Sequence, residues 1–468
     1  MRNWLFSLIL VAPPMVHAAG AADGGVEILR DPWGVPHVFA PTEEAGFFGW
    51  GYACAEDRRL QMELVRRKGA GRLAEVFGPE WVRSDREARI AGYTAYAGEA
   101  FARLPAEMQA WLRAYAAGVN AWTAANREAV TRRFKPLGVD PEPWAPADCL
   151  LAARAVLSLG SPFDDQAVTQ YHRFQELAAQ IGEAEAEKQF HMAVEDAAAI
   201  VSEAEMAKDA AAYQRLKARP RMPGFLLHGV LAEGPKMSHA WAVAGARSKT
   251  GKPLLESDPQ LPLASPPFFH ELHLAAGRID ARGLGIPGCP GLFIGFNRRI
   301  AWGASALGAG SQVVFLDKLT ADGCGYVFEG KTLPCERRLE RIRVKGGADV
   351  VQEVLGTRHG VVFNSLSANQ RPGEAYVLYD PQTRDRGATA RAMLEFLTAG
   401  NWTEFRAAIE HYFDPGLHVV YADADNNVGY HTLVHRPLKI RSPRLAQEGW
   451  TGRQEIAGRI TLDRKSVV

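Results

Sequence analysis

Residues 237–260 read M-S-H-A-W-A-V-A-G-A-R-S-K-T-G-K-P-L-L-E-S-D-P-Q, and they mark a change from a helical to a strand-rich sequence. Trp241 alternates with small residues, a Gly-Lys turn follows, and apolar residues resume at Leu254, as in paired strands. Residues 168–216 are rich in Ala, Glu, Gln and Lys, which favour helix. The basic, proline-containing residues 218–224 break that pattern and would tolerate proteolysis. A helical first part followed by strands predicts an α+β layered fold.

Ser238 becomes a chain terminus if the Met237–Ser238 bond is cut. Its hydroxyl would then lie beside its own α-amine, and an amine with a pKa of about 8 can accept the hydroxyl proton, directly or through a water. The same hydroxyl can attack the preceding carbonyl, which would explain self-cleavage. The alternative for this residue taken alone is an ordinary strand serine. The first interpretation predicts acyl transfer through a serine ester.

The composition is that of a globular protein, with 468 residues, 47% hydrophobic and 23% charged. This length predicts one large unit or two coupled ones. The net charge of +1 gives no general attraction to nucleic acid or to anionic membranes, so neither is expected as a partner. The basic runs at 66–68 and 337–338 are locally balanced by acidic residues and are expected on solvated faces. Zinc-protease (H-E-x-x-H) and G-x-S-x-G motifs do not occur in the sequence.

Residues 1–18 have the features of a secretory signal peptide. A positive start precedes an apolar run from Leu5 to Val16, and small residues occupy the cleavage positions before about Ala18. The run is too short to span a membrane. The alternative is an uncleaved amphipathic leader. The first interpretation predicts a periplasmic or secreted protein.

Export would make disulfides possible among the five cysteines. Cys324 and Cys335 bracket the segment C-G-Y-V-F-E-G-K-T-L-P-C, which predicts two short strands and a disulfide across them. Cys54, Cys149 and Cys289 lie in apolar surroundings and are expected to be buried small hydrophobes. Because no pair has C-x-x-C spacing and no cysteine has histidines at ligand spacing, zinc is not expected.

Five blocks occur in order along the chain. They are V-E-I-L-R-D-P-W-G-V-P-H-V-F-A (26–40), A-E-D-R-R-L-Q-M-E-L-V-R-R-K-G-A-G-R-L (55–73), L-R-A-Y-A-A-G-V-N-A-W (112–122), S-H-A-W-A-V-A-G-A-R-S-K-T-G-K-P-L-L (238–255) with D-P-Q-L (258–261), and I-P-G-C-P-G-L-F-I-G-F-N-R-R-I-A-W-G (286–303). Together they resemble the penicillin amidase (penicillin acylase) family of N-terminal nucleophile (Ntn) hydrolases, over nearly everything after the signal. The resemblance implies a four-layer αββα sandwich with a mainly helical N-terminal part.

The resemblance also implies a precursor that is cut into two associated chains. The α chain would be residues 19–215, a spacer 216–237 would be removed, and the β-chain core 238–468 would begin with the nucleophile, Ser238. The implied activity is that of an exported amidohydrolase acting on N-acylated small molecules, such as penicillin-like β-lactams or acyl-homoserine lactones, through an acyl-serine ester.

The family pattern assigns further site residues by position. The backbone N–H of Ala306, in W-G-A-S-A-L-G, matches an oxyanion donor, and losing one such donor costs about 2.7–4 kcal/mol. Gln260 matches a residue beside the nucleophile that is His in many members and Gln in others. Leu261, Ile294 and Ala304 fall at acyl-pocket positions, with plain core packing as the alternative.

Two departures from the family pattern bear on function. Residues 307–313, L-G-A-G-S-Q-V, lack the aspartates that often bind a structural calcium, so neither calcium by that route nor any cofactor is expected. The asparagine that supplies the second oxyanion donor would lie beyond Val468, so the chain is expected to be incomplete at its C-terminus relative to the family. Asn426 and Asn427 are assigned to a hairpin turn instead. The alternatives are a truncated, inactive remnant or ligand-binding protein and, less favoured, a Ser-His-Asp esterase that needs no internal cleavage.

Overall fold

A computed structural model describes residues 16–17, 25–157, 163, 165–196, 237–261, 265–307, 312–413, 415–433 and 445–456. Helices dominate the part before residue 197 and strands the part after residue 236. The predicted α+β class is therefore confirmed. The predicted signal peptide and spacer lie almost entirely outside the described residues.

Three short strands come first in the chain, a long helical stretch follows them, and a long strand-rich stretch comes last. The described strands are β1 (Val16–His17), β2 (Glu27–Arg30), β3 (Pro36–Ala40), β4 (Met237–Val243), β5 (Leu254–Gln260), β6 (His270–Ala276), β7 (Ile279–Ile286), β8 (Cys289–Asn297), β9 (Ile300–Ala306), β10 (Val313–Leu319), β11 (Gly325–Phe328), β12 (Lys331–Pro334), β13 (Glu336–Ile342), β14 (Val350–Gly356), β15 (Val361–Val362), β16 (Glu374–Tyr379), β17 (Leu417–Asp423), β18 (Val428–Leu433) and β19 (Gln447–Glu448). The described α-helices are α1 (Glu43–Ala70), α2 (Ala74–Phe77), α3 (Val82–Ala91), α4 (Tyr93–Arg103), α5 (Ala106–Ala125), α6 (Arg127–Phe134), α7 (Pro146–Leu157), α8 (Gln166–Ile181), α9 (Glu183–Asp196), α10 (Ala388–Glu395) and α11 (Trp402–Ile409).

A nine-stranded sheet forms the centre of the molecule, in the order β1-β2-β3-β6-β7-β8-β9-β17-β18. Its neighbouring strands are antiparallel except β3 and β6, which are parallel and pair His37 with His273. Because β3 precedes residue 197 and β6 follows residue 236, both parts of the chain build this one sheet.

Helix α1 covers one face of this sheet. It begins at the cap Thr42, whose hydroxyl accepts the N–H of Ala45 at 3.2 Å, and ends at Gly71 with φ of 62°. Gly46 allows close packing on the sheet, because a Cβ there would lie 2.3 Å from the Cβ of Ala276. The apolar side chains between helix and sheet form the main core.

Two arginines of α1 depart from the prediction of a solvated basic run. Arg66 and Arg67 are buried, and both bind Glu63, with Arg67 Nε donating to Glu63 Oε1 at 2.9 Å. Arg66 also pairs with Asp148 at 2.9 Å. The prediction is wrong here because i, i+3 and i, i+4 spacing places both arginines over one fully buried carboxylate.

A second sheet has the order β12-β11-β10-β16-β15-β14-β13, with β19 beside β10. Its apolar face packs against α8 and forms a separate core that includes Phe174, Phe363 and Tyr376. The predicted hairpin of β11 and β12 is confirmed, but the disulfide is wrong because Cys324 and Cys335 are both free. The backbone N–H of Cys335 donates to the carbonyl of Cys324 at 2.9 Å, while the Cys324 sulfur accepts a hydrogen bond from Arg337.

The hairpin of β4 and β5 lies on the nine-stranded sheet at β9. Ser257 Oγ accepts the backbone N–H of Ala304 at 3.1 Å and donates to its carbonyl at 3.3 Å. On the other side of β9, Trp302 packs against Phe396 and Phe405. The described layers at this place are therefore helix, sheet and hairpin.

Candidate active site

Strand β4 carries Ser238 toward the nine-stranded sheet. The hairpin register pairs Ser238 with Pro259 and His239 with Asp258. Side chains alternate along a strand, so Ser238 and His239 point to opposite faces of the hairpin. The Ser238 side chain meets β9, whereas His239 is exposed.

Two residues at the end of β9 bind Ser238. The backbone N–H of Ala306 donates to Ser238 Oγ at 3.3 Å, so the predicted nucleophile and the predicted oxyanion donor lie together. Ser305 Oγ is 2.9 Å from Ser238 Oγ and donates to the Ser238 carbonyl at 3.2 Å. The sequence interpretation missed Ser305. The available signal was its position between Ala304 and Ala306, because it is the one hydroxyl in W-G-A-S-A.

Gln260 lies opposite Met237 in the hairpin and therefore flanks the Met237–Ser238 bond. Its side-chain Nε2 lies 3.1 Å from His239 Nδ1 and donates to Asp258 Oδ2 at 2.7 Å. These three side chains occupy the hairpin face that points away from the sheet. Gln260 is thus near the Met237–Ser238 bond, but on the opposite face from the Ser238 hydroxyl.

The three residues predicted for the acyl pocket occupy different environments. Ile294 and Ala304 are 9% and 3% exposed and belong to the main core, while Leu261 is partly buried at the end of the hairpin. The backbone of Ala304 is bound by Ser257 from β5. Their role as pocket residues stays a prediction.

The turn between β17 and β18 contains Asn426 and Asn427, which confirms the assignment of these residues to a hairpin turn. Asn426 has a positive φ of 71°. The Asn427 amide donates to Asp423 Oδ2 at 2.9 Å. Burial raises the pKa of Asp423, but hydrogen bonds, led by those from Asn427, outweigh burial and hold the pKa below its usual value. The side-chain amide of Asn427 is therefore bound within the turn, by Asp423.

The part of the chain that the structure describes contains His, Cys, Asp and Glu side chains that could bind a metal ion. No group there brings together three or more His, Cys, Asp or Glu side chains as metal ligands. His270 and His273 bind Asp57 and Asp280 instead, at 2.8 and 3.0 Å. Residues 307–313 contain no carboxylate and so do not fit a calcium ion. That the protein needs no calcium stays a prediction.

Among the described helices, none combines the length and the apolar character needed to cross a membrane.

The family model for penicillin amidase matches residues 25–466, which is nearly the whole chain. The chain is 31% identical over 452 residues to penicillin acylase 2 proenzyme from Pseudomonas sp. strain SE83, covering 92% of this chain and 55% of that protein. It is 28% identical over 450 residues to the acyl-homoserine lactone acylase QuiP from Pseudomonas fluorescens, covering 92% and 53%. Penicillin G acylase from Escherichia coli is 26% identical over 490 residues, covering 94% and 57%.

The chain thus spans about half the length of the curated relatives it matches. Among solved structures, thermostable penicillin G acylase from Alcaligenes faecalis in its orthorhombic form is 25% identical, with a TM-score of 0.45. That alignment covers 49% of this chain and 41% of the other.

Proposed function

The chain belongs to the penicillin amidase family, and from this premise we propose that it is an amidohydrolase whose nucleophile is Ser238. The observation that carries the proposal is the 3.3 Å hydrogen bond from the Ala306 N–H to Ser238 Oγ. A donor at this position can stabilise negative charge that develops on an oxygen next to the nucleophile.

The first proposed step is cleavage of the chain by its own serine. Ser238 Oγ attacks the carbonyl carbon of Met237, the Met237–Ser238 C–N bond breaks, and the hydroxyl proton goes to the released amine. Water then hydrolyses the ester and leaves Ser238 with a free α-amine. This cut gives one chain that ends at Met237 and a β chain from 238 to 468. We propose that water hydrolyses a second peptide bond, near residue 215, so that 216–237 is removed as a spacer and an α chain within residues 19–215 remains.

The second proposed step is hydrolysis of the substrate amide. The free α-amine of Ser238 accepts the hydroxyl proton while Oγ attacks the acyl carbon. The Ala306 N–H stabilises the oxyanion, and the protonated amine donates its proton to the leaving nitrogen. Water, deprotonated by the same amine, attacks the acyl ester and releases the acid.

The proposed substrates are small molecules with an N-acyl amide, either penicillin-like β-lactams or acyl-homoserine lactones. Relatives at 31% and 28% identity carry these two activities in their names. Ile294 and Ala304 are apolar and buried, and we propose that they help to accommodate an apolar acyl group. We also propose that the protein is exported to the periplasm or secreted, on the basis of residues 1–18.

Self-cleavage is tested on the purified chain by a denaturing gel and N-terminal sequencing. The expected result is two fragments, the larger beginning Ser-His-Ala-Trp. Ser238→Ala should give one uncut band and no release of amine from penicillin G or an N-acyl-homoserine lactone. Ser84→Ala, a partly buried serine on α3, is the matched control. A wild-type chain that stays uncut after prolonged incubation contradicts the proposal, as does a Ser238→Ala chain that still hydrolyses either amide.

A further inference from the structure

A row of polar side chains crosses β9, β17 and β18 beneath the hairpin. The strand register places Ser305 directly opposite His418, and His418 directly opposite Thr432. Directly opposite residues of antiparallel strands share one face and have Cβ atoms roughly 4.5–5.5 Å apart. Ser238 lies above one end of this row, bound to Ser305.

Hydrogen bonds link His418 to two further polar side chains on β18. His418 Nδ1 is 2.5 Å from Tyr430 Oη, and Tyr430 Oη is 3.1 Å from Thr432 Oγ1. When Tyr430 donates to Thr432, it accepts the Nδ1 proton of His418. These distances allow two donor orders, and the inference below uses this one, which leaves Nε2 of the neutral imidazole unprotonated and able to accept a proton. Within the described residues, no hydrogen bond engages Nε2.

Among the residues that the structure describes around His418, few carry a charge that would compete with it. The hairpin residues that share the Ser238 face and their cross-strand partners are Ser238, Ala240, Ala242, Leu255, Ser257 and Pro259, none of which is charged. On the sheet, the titratable neighbour on the same face is Tyr430. His431 is on the opposite face of β18, where burial lowers its pKa.

The uncut chain needs a base that the mature enzyme does not need. Before cleavage the nitrogen of Ser238 is an amide, so the α-amine that activates the mature serine does not exist. We propose that His418 is the positioning residue that draws the Ser238 proton through Ser305 during self-cleavage. This inference rests on the proposed function, because it concerns the first cut at Met237–Ser238.

Every proton that moves in this step comes from a group of the chain and ends on a group of the chain. The Ser305 hydroxyl rotates from the Ser238 carbonyl toward His418 Nε2 and gives up its proton there, while Ser238 Oγ–H passes its proton to Ser305. The new bond joins Ser238 Oγ to the Met237 carbonyl carbon, and the C–N bond breaks. The proton then returns from His418 through Ser305 to the released amine, so no other reactant is required before water hydrolyses the ester.

The test is the rate of self-cleavage of the full chain, followed on denaturing gels from the end of synthesis. His418→Ala should slow cleavage by about 100-fold, since a positioned acid–base group contributes about 10²–10⁴-fold. Imidazole added to the buffer should restore a large part of the rate. His411→Ala is the matched control, because His411 is a partly exposed histidine after α11, and it should cleave at the wild-type rate with or without imidazole.

Ser305→Ala tests whether the proton moves from Ser238 to His418 through the Ser305 hydroxyl, or whether His418→Ala acts only by disturbing the packing. It should also cleave slowly, but imidazole should not restore its rate because the bridging hydroxyl is missing. It also serves as the second variant if His418→Ala does not fold. If the wild-type chain cleaves and His418→Ala cleaves equally fast, or is slow without any response to imidazole, the inference is overturned. A wild-type chain that never cleaves overturns the proposed function instead.

Discussion

Gly303 lies at the closest approach of the hairpin to the sheet, and we predict that Gly303→Ala impairs self-cleavage. A Cβ at Gly303 would lie 2.7 Å from the Cβ of Ser257 and 3.1 Å from a methyl carbon of Val420. Non-bonded carbon atoms prefer about 3.5–4.0 Å. The hairpin must therefore move away from the sheet by about 1 Å to accept one methyl group.

That displacement acts on the bond between the Ala306 N–H and Ser238. The bond is already 3.3 Å long, and about 1 Å more would take it beyond hydrogen-bond range. Removing a single oxyanion donor lowers a rate by about 10²–10³-fold. We therefore expect Gly303→Ala to cleave at least about 100 times more slowly, with a loss of stability of about 1–3 kcal/mol from overpacking.

The assay follows the uncut band of the wild type and the variant over time on denaturing gels, with urea unfolding as a measure of stability. Gly98→Ala is the matched control, because no atom lies within 4 Å of a Cβ at that position of α4. Adding Ser257→Gly to Gly303→Ala removes the closest contact and should recover part of the rate. Wild-type cleavage by Gly303→Ala would refute the claim that this contact positions Ser238.

Three further predictions concern the rest of the molecule. Glu63→Gln should lower the free energy of unfolding by about 3–5 kcal/mol, because it removes the buried carboxylate that Arg59, Arg66 and Arg67 share. Glu353→Gln, in a half-exposed ion pair, should cost under about 1 kcal/mol in the same urea titration. Burial lowers the pKa of His359, but hydrogen bonds to Asp317 and Glu455 outweigh burial and raise the pKa above its usual value. The stability that His359 contributes is then complete below pH of about 6.5 and is lost as the pH rises through the raised pKa. The stability advantage of the wild type over His359→Gln should therefore shrink with rising pH, and an advantage that grows would contradict this. Finally, the two chains of the cleaved protein should elute together from a sizing column and separate only in denaturant, and elution as two species in native buffer would contradict a shared core.

Local signals were sufficient to predict many elements. Between Thr42 and Leu73, apolar residues such as Leu60 and Leu64 recur at helical intervals and glycines close the segment, which predicts a helix. The prediction is confirmed by α1, which spans Glu43–Ala70 with Thr42 as its cap. Residues 26–40 alternate as strands do, with Pro32 and Pro36 marking an edge or bends, and strands β2 and β3 lie in this segment. These signals succeed because period, capping residues and turn residues act over a few neighbouring positions.

Long-range relations were not available from the sequence. Ser305 binds Ser238 across 67 positions, and its place beside His418 depends on the register between β9 and β17. The local patterns of one sequence do not show which distant strands pair. The pairing of Arg66 and Arg67 with Glu63 is local, but their burial depends on which face of α1 the rest of the chain covers, as the contact of Arg66 with Asp148 illustrates. The sequence block predicts Ser238 as the nucleophile, which stays a prediction, whereas its hydrogen-bonding neighbours are seen only in the fold.

The position of the proposed cut is compatible with a protein that stays assembled. Strands β3 and β6 are parallel neighbours on opposite sides of residues 197–236, and the rings of His37 and His273 meet across them with their Nδ1 atoms 3.0 Å apart. Helix α1 packs on β6 through Gly46. Strand β4 is held by β5, which Ser257 fixes to β9. Cutting Met237–Ser238 would therefore free the α-amine while these contacts keep the Ser238 hydroxyl beside Ala306, so that maturation creates the base without rebuilding the site.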